Sequence, residues 1–182
     1  MIDLGLPSGT KWACCNVGAN KPEAYGDYYA WGETQTKSNY EDDNYIHYDG
    51  TKETYKETYR NLGSDIAGTQ YDVAHVKWGG SWVMPSKAQQ DELEDNCTYT
   101  WTTINGVEGG KFTGKNGKSV FLPAAGWRSS GGLDLAGSYG SYWSSTQDPS
   151  RSAGAYDLHF TSGGVLYYSH RGYGRSVRPV SR

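Results

Sequence analysis

The chain has 182 residues and a mass of 20.0 kDa, which is the size of one domain. Its 7 Trp and 16 Tyr exclude an intrinsically disordered protein, because disordered chains lack the aromatic area that a core needs. The net charge of -3 argues against a nucleic-acid partner. No apolar run approaches the ~18 residues of a membrane span, so we expect no membrane insertion.

Helix signals occur only in the first half of the chain. Residues 21–25 carry a Pro and an acid where a first helical turn tolerates them, and residues 71–78 form a second short candidate. The strongest prediction is a helix over residues 86–96. Ser86 and Gln89 have the spacing of a capping box there.

Strand signals follow in the second half. Residues 119–124, 155–160, 165–168 and 176–180 are rich in β-branched and aromatic residues or alternate in polarity, and Gly-rich turns separate them. The pattern predicts an α+β domain whose second half is mostly strand and long loop.

The composition changes near residue 126. All ten Lys lie at or before Lys118, whereas six of the seven Arg lie after residue 126. From residue 127 onward, Ser, Gly, Tyr, Arg, Asp and His supply 38 of 56 residues, an alphabet typical of a binding surface. We therefore interpret residues 1–182 as a single domain with a supporting half (1–126) and a ligand-display half (127–182). An ordinary β-rich surface would show a similar composition.

Catalytic and metal-binding patterns are not found in the sequence. Gly117-Lys118-Ser119 lacks the rest of a phosphate-binding loop, and the four His show no metal-ligand spacing. Asp42 and Asp43 are adjacent, so they are poorly placed to act as a glycosidase pair, and a solvated acidic loop is the simpler interpretation. We expect a binding domain with no cofactor and no enzymatic activity.

The three cysteines are too few for a disulfide scaffold. A bridge between Cys14 and Cys15 would be badly strained, and a bridge from Cys97 to either stays open. Met1 leads into polar sequence without the pattern of a signal peptide, so we expect either that the protein is made without one or that a signal or anchor was removed ahead of this sequence.

Several co-linear motifs resemble a known family. They are IDLGLPSGTKWA (2–13), NVGA (16–19), YGDYYAWGE (25–33), DIAGTQYDVA (65–74), WGGSW with MP (78–82 and 84–85), LPAAG (122–126), YWSST (142–146) and SVRPV (176–180). Together they resemble the Fibrobacter succinogenes major paralogous domain, which is common in gut Bacteroidetes and their phages. That resemblance implies a C-type lectin-like fold of the formylglycine-generating-enzyme type, with a small twisted sheet, flanking helices and long loops.

The resemblance also implies a function. Variable proteins of diversity-generating retroelements carry their variable residues in the C-terminal part of this fold, and adenine-directed mutagenesis of Asn codons yields the residues that are enriched after residue 127. No Asn follows Asn116. We therefore expect a diversified, non-catalytic receptor domain that binds a protein or glycan at a cell surface. It would lie on a bacterial surface, as a lipoprotein for example, or on a phage virion.

Candidate ligand contacts are the aromatic, charged and hydroxyl residues of the display half. They are Trp127, Arg128, Ser129, Ser130, Asp134, Tyr139, Ser141, Arg151, Asp157, His159, Tyr167, Tyr168, His170, Arg171 and Tyr173. By contrast, we expect Trp12, Trp31, Trp78, Trp82 and Trp143 to anchor the core and its loops.

Three alternative interpretations of the sequence stay open beside this one. One is an ordinary surface domain or lipoprotein domain without diversification. Another is a relative of the sulfatase-modifying enzymes, but their chemistry needs a pair of late cysteines, and no Cys follows Cys97. The third is a calcium-dependent lectin, whose Glu-Pro-Asn, Gln-Pro-Asp and Trp-Asn-Asp signatures do not occur here.

Overall fold

The computed structural model describes residues 1–49, 59–166 and 169–181. Within this part of the chain, a 3₁₀ helix spans Asp42–Asn44, α1 spans Val73–Trp78 and α2 spans Lys87–Asn96. The strands are β1 (Ile2–Asp3), β2 (Lys11–Trp12), β3 (Cys97–Ile104), β4 (Val107–Gly114), β5 (Ser119–Pro123), β6 (Trp127–Ser129), β7 (Gly132–Asp134), β8 (Gly140–Gln147), β9 (Gly154–Thr161), β10 (Gly164–Leu166), β11 (Ser169–His170) and β12 (Val180–Ser181). No helix among these residues is long and apolar enough to cross a lipid bilayer.

Both α-helices begin at a side-chain cap. The Asp72 carboxylate accepts the backbone N–H of His75 at the start of α1. Ser86 Oγ accepts the N–H of Gln89, and Gln89 Oε1 accepts the N–H of Ser86, so the predicted capping box is confirmed. The helix predicted over residues 21–25 is wrong, because these residues form a turn and irregular backbone.

The strands form four small sheets whose pairs are antiparallel. Strands β3, β4 and β5 make a meander, and β9 pairs with β8, β10 and β11. Strands β6 and β7 form a hairpin. In the remaining sheet β2 lies between β1 and β12, so that Trp12 is paired with both Ile2 and Val180. The two halves of the chain therefore share a sheet.

The core consists of three clusters of buried side chains. The first lies between the β3–β5 meander and strands β8 and β9, around Phe112 and Phe160. The second surrounds Trp31 and Trp143, and the third is built largely from tyrosines of residues 28–59. The core role predicted for Trp12, Trp31 and Trp143 is confirmed, while Trp78 and Trp82 are half-buried and pack edge to face against each other.

The predicted strand positions are mostly confirmed, with shifted ends. Strands β5 and β9 lie within one residue of the predictions 119–124 and 155–160. Within the prediction over 176–180, Ser176 forms an isolated bridge with Tyr142 and Val180 begins β12, whereas residues 177–179 are not strand. The prediction over 165–168 matches β10 up to Leu166, and Tyr167 and Tyr168 lie outside the described residues.

The predicted α+β fold of the C-type lectin type is wrong. The structure is mostly small antiparallel sheets, and α2 is the single helix of more than two turns among the described residues. The long β3–β4 hairpin was not predicted, since no element was expected between residues 97 and 114. A Cβ on Gly110 would stand 2.8 Å from the ring of Tyr99 and 3.0 Å from that of Phe160. Glycine is therefore needed inside this strand so that aromatic rings can pack against its backbone.

Candidate functional site

A polar cavity of about 440 Å³ opens between the 3₁₀ helix and the β6–β7 hairpin. We call it the tyrosine–acid cavity. Its lining residues are Tyr40, Glu41, Asp42, Asp43, Tyr48, Ser129, Ser130 and Tyr173. Three of these side chains are carboxylic acids and none is basic, so the lining is acidic.

The acidic wall is held by local hydrogen bonds. Glu41 precedes the 3₁₀ helix and forms a capping box with Asn44, which fixes the backbone that carries the three acids. The hydroxyl of Tyr59 donates to Oδ1 of Asp42 at 3.1 Å. Asp43 makes no such contact in the described part of the chain and is exposed, so its carboxylate is open to a ligand.

The opposite wall consists of the β6–β7 hairpin and the segment that carries Tyr173, and backbone hydrogen bonds join the two. The N–H of Arg128 donates to the carbonyl of Gly174 at 2.7 Å, and the N–H of Gly174 donates back to the carbonyl of Arg128 at 2.9 Å. This bridge places Ser129 beside Tyr173. A Cβ on Gly174 would stand 2.8 Å from the ring of Tyr40, so the bridge also packs directly on the floor of the cavity.

Tyr173 is the most exposed aromatic side chain of the cavity, with 38% of its surface accessible. Its ring lies 5.3 Å from the imidazole of His170, and the guanidinium of Arg175 lies 5.8 Å from its ring centroid. His170 is itself held by Tyr59, whose hydroxyl lies 2.9 Å from Nε2, and by Asp42, whose Oδ1 lies 3.4 Å from Nδ1. The exposed ring is therefore supported from behind by groups that are fixed in place.

A buried polar network lies behind this wall. The Nε of Arg175 donates to Oδ2 of Asp157 at 3.1 Å and to the hydroxyl of Ser141, and Nδ1 of His159 contacts the same Asp157 oxygen at 3.0 Å. Burial lowers the pKa of Arg175, and the carboxylate of Asp157 opposes this shift. The arrangement is not a Ser-His-Asp triad, because Ser141 donates to the carboxylate and not to the imidazole.

Residues 44–180 match the model of a family described as a domain of unknown function (DUF8237). The chain belongs to DUF8237. No curated protein matches the chain, and no solved structure matches it either. The matched range of the DUF8237 domain includes Tyr48, Ser129, Ser130 and Tyr173 of the cavity, whereas residues 40–43 precede it. The resemblance to the Fibrobacter succinogenes major paralogous domain stays a prediction.

Three predicted contacts of this DUF8237 domain, Ser129, Ser130 and Tyr173, line the tyrosine–acid cavity, and His170 adjoins it. Arg128 lines a smaller neighbouring cavity of about 260 Å³, where its guanidinium lies 5.1 Å from the ring centroid of Tyr28. The structure thus brings part of the predicted set of ligand contacts together around these two neighbouring cavities.

Four predicted contacts do not reach the surface and correct the sequence analysis. Ser141 and Asp157 are fully buried in the network around Arg175, and His159 is nearly so. Arg171 is also fully buried, because its guanidinium stacks 4.6 Å from the ring centroid of Trp31 and donates to the carbonyls of Ser152 and Arg60. These four side chains stabilise the interior.

Four other predicted contacts, Trp127, Asp134, Tyr139 and Arg151, do not line the cavity. Trp127 packs edge to face against Tyr139, and Asp134 accepts the hydroxyl of Ser129 at 2.7 Å within the hairpin. Arg151 is exposed in the turn between β8 and β9. Tyr167 and Tyr168 lie outside the described residues.

The first-half residues of the cavity were not among the predicted contacts. Asp42 and Asp43 were expected in a solvated acidic loop, and no role was expected for Tyr40, Glu41 or Tyr48. The available signal was the clustering of three tyrosines and three acids within residues 40–48, a segment that lies far in sequence from Tyr173 and close to it in space. Among the described residues, no group of three or more His, Cys, Asp or Glu could hold a metal ion.

Proposed function

We propose that this DUF8237 domain is a non-catalytic recognition module that binds its ligand in the tyrosine–acid cavity. The observation that supports this proposal is the lining of the cavity, where tyrosine rings stand beside three carboxylates. Exposed tyrosine offers rigid apolar area with a polar hydroxyl, and such residues dominate the energy of protein interfaces.

The lining favours a positively charged group on the ligand. Carboxylates attract a cation, and the face of a tyrosine ring adds about 0.5–2 kcal/mol for a cation placed over it. Lysine or arginine side chains on a partner protein at a cell surface provide this chemistry. The cell-surface or virion location expected from the sequence belongs to the same proposal.

The proposal is tested by binding measurements on the whole domain. The probes are a tetralysine peptide, a tetraglutamate peptide and cellotetraose as a neutral sugar, each followed by isothermal titration calorimetry. We expect binding of the tetralysine peptide alone, and weaker binding as salt is raised, because salt screens exposed charges. Tyr173→Ala and Asp43→Asn should each weaken binding at least about 5-fold, the loss expected when a contact worth about 1 kcal/mol is removed.

Matched variants outside the cavity serve as controls. Tyr156→Ala removes a half-buried tyrosine that lies under Lys87, and Asp91→Asn removes the acid that pairs with the same lysine. Both controls should bind the tetralysine peptide as the unaltered domain does. If cellotetraose binds and Tyr173→Ala abolishes that binding, the recognition role holds and the cationic ligand is wrong. If no probe depends on Tyr173, the cavity is not a recognition site.

Diversification by a retroelement is the second part of the proposal. Exposed positions such as Ser130 and Tyr173 would tolerate many replacements, whereas Asp157 and Arg171 are committed to interior hydrogen bonds. The test is genomic: a reverse transcriptase gene beside a near-copy of the region that encodes residues 127–175, differing at adenines. Substitutions spread evenly over buried and exposed positions, or no near-copy at all, would contradict this part.

A further inference from the structure

Two adjacent cysteines, Cys14 and Cys15, follow β2 after a single intervening residue, and the proposed recognition site does not involve them. The sulfur atoms of Cys14 and Cys15 are 3.5 Å apart. The side chain of Cys14 is exposed, whereas Cys15 is buried. Consecutive side chains of an extended strand point in opposite directions, so the backbone must bend here to bring both sulfurs together.

The bend is fixed by hydrogen bonds from the end of the chain. The N–H of Ala13 donates to the carbonyl of Pro179 at 2.8 Å, and the N–H of Val17 donates to that of Val177 at 3.0 Å. Between them, the fully buried guanidinium of Arg178 donates to the carbonyls of Ala13 and Cys14. The two thiols are therefore preorganised as a pair.

The sulfur spacing suits a bridging atom better than a disulfide bond. A disulfide would require the sulfurs to approach to about 2.05 Å, which the clamped backbone resists. A single atom bonded to both sulfurs at about 2.3 Å, a typical metal–thiolate length, would hold them about 3.4–3.8 Å apart for bond angles between about 95° and the tetrahedral value. The observed 3.5 Å falls in this range.

A largely apolar cavity of about 320 Å³ adjoins the exposed thiol. Its lining consists of Cys14, four apolar residues and three polar ones: Ile2, Pro22, Ile104 and Phe121, and Thr102, Lys111 and Ser119. Such a cavity can accept a ring-sized apolar group attached to the bridging atom.

We propose that Cys14 and Cys15 form a dithiol site for a trivalent metalloid that carries one organic substituent, such as an aryl arsenical. A metalloid of this class needs two thiolates and no further protein ligand. This matches the pair, because the described residues contain no third His, Cys, Asp or Glu grouped with it. The organic substituent would occupy the apolar cavity.

Binding requires no oxidant. For an arsenic(III) oxide, two S–As bonds form, the arsenic–oxygen bonds break, and the oxygen leaves as water with the two thiol protons, so no oxidation state changes. Cys14 meets the reagent first because it is exposed. Cys15 is buried, so its sulfur reacts in the second, ring-closing step.

The test uses phenylarsine oxide and the whole domain in the presence of excess monothiol. Intact-mass spectrometry should find one phenylarsenic group per chain, with two hydrogens lost, and a small dithiol should remove it. Cys14→Ser should weaken retention by roughly 100-fold or more, because the second bond is then no longer intramolecular. Cys15→Ala should have the same effect, provided that circular dichroism shows that this buried variant folds.

Cys97 provides the matched control, since it is a half-buried thiol outside the pair. Cys97→Ser should retain the arsenical as the unaltered domain does. Ile104→Ala should weaken retention of the phenyl arsenical several-fold. It should leave retention of a methyl arsenical unchanged, because a methyl group does not fill the cavity. Equal retention by Cys14→Ser and the unaltered domain, or loss of retention in Cys97→Ser, would overturn the proposal.

Discussion

Replacement of Trp143 by alanine should destabilise the domain more than replacement of any half-buried tryptophan. Trp143 is fully buried in the second core cluster. Its Nε1 donates to the carbonyl of Tyr29 at 2.7 Å, and the guanidinium of Arg175 stacks 4.5 Å from its ring centroid. The alanine variant therefore loses a large buried side chain, one buried hydrogen bond and the apolar cover of a buried charge.

The expected loss in the free energy of unfolding is about 3–5 kcal/mol, the usual range for a buried Trp→Ala change. For a domain of this size, each kcal/mol lowers Tm by about 2–4 °C, so Tm should fall by about 6–20 °C. Trp143→Phe keeps most of the ring but loses the Nε1 donor, and it should cost about 1–2 kcal/mol, since the carbonyl of Tyr29 loses a partner.

Thermal melts followed by circular dichroism measure these differences. Trp82→Ala is the matched control, because Trp82 was also expected in the core from the sequence but is half-buried against Trp78. We expect it to cost about 1–2 kcal/mol. If Trp82→Ala and Trp143→Ala lower Tm equally, then burial in the structure does not govern stability here, and the reasoning is wrong.

Two further predictions concern local interactions. Ser86→Ala should lower the free energy of unfolding by about 1 kcal/mol, because the α2 helix loses its cap. A urea titration measures this loss. The control is Ser150→Ala in an exposed turn, which should lower the free energy of unfolding less. Burial lowers the pKa of His47 below 6.5, so the folded state binds its proton less readily than the unfolded state, and stability should fall as pH drops below about 6.5. His47→Gln should make stability less dependent on pH below about 6.5. If stability still falls with the same slope in this variant, His47 is not the group responsible.

The elements that local patterns specify were predictable from the sequence. The cap of α2 depends on Ser86 and Gln89, three residues apart, and β5 and β9 are short runs with strong strand propensity. Such signals need no knowledge of distant residues.

The buried arginines were not predictable, and they account for much of the error at the candidate site. Arginine is almost never fully buried unless it is paired, so Arg171 was assigned to the surface. Its partners Tyr45 and Arg60 are more than 100 residues away in the chain. No spacing rule connects residues at that distance, and the tyrosine–acid cavity escaped prediction for the same reason.

The sheet formed by β1, β2 and β12 has a consequence for folding during synthesis. Trp12 can pair with Val180 only after all the residues between them have been made, and Arg178 likewise arrives late to donate to the carbonyls of Ala13 and Cys14. Because synthesis adds about 5–20 residues per second, roughly 10–30 s pass between the synthesis of residues 11–12 and that of their partners in β12. The edge of β2 is unpaired throughout that interval, so a nascent chain that stalls before residue 178 would carry an open strand edge, which is a template for aggregation.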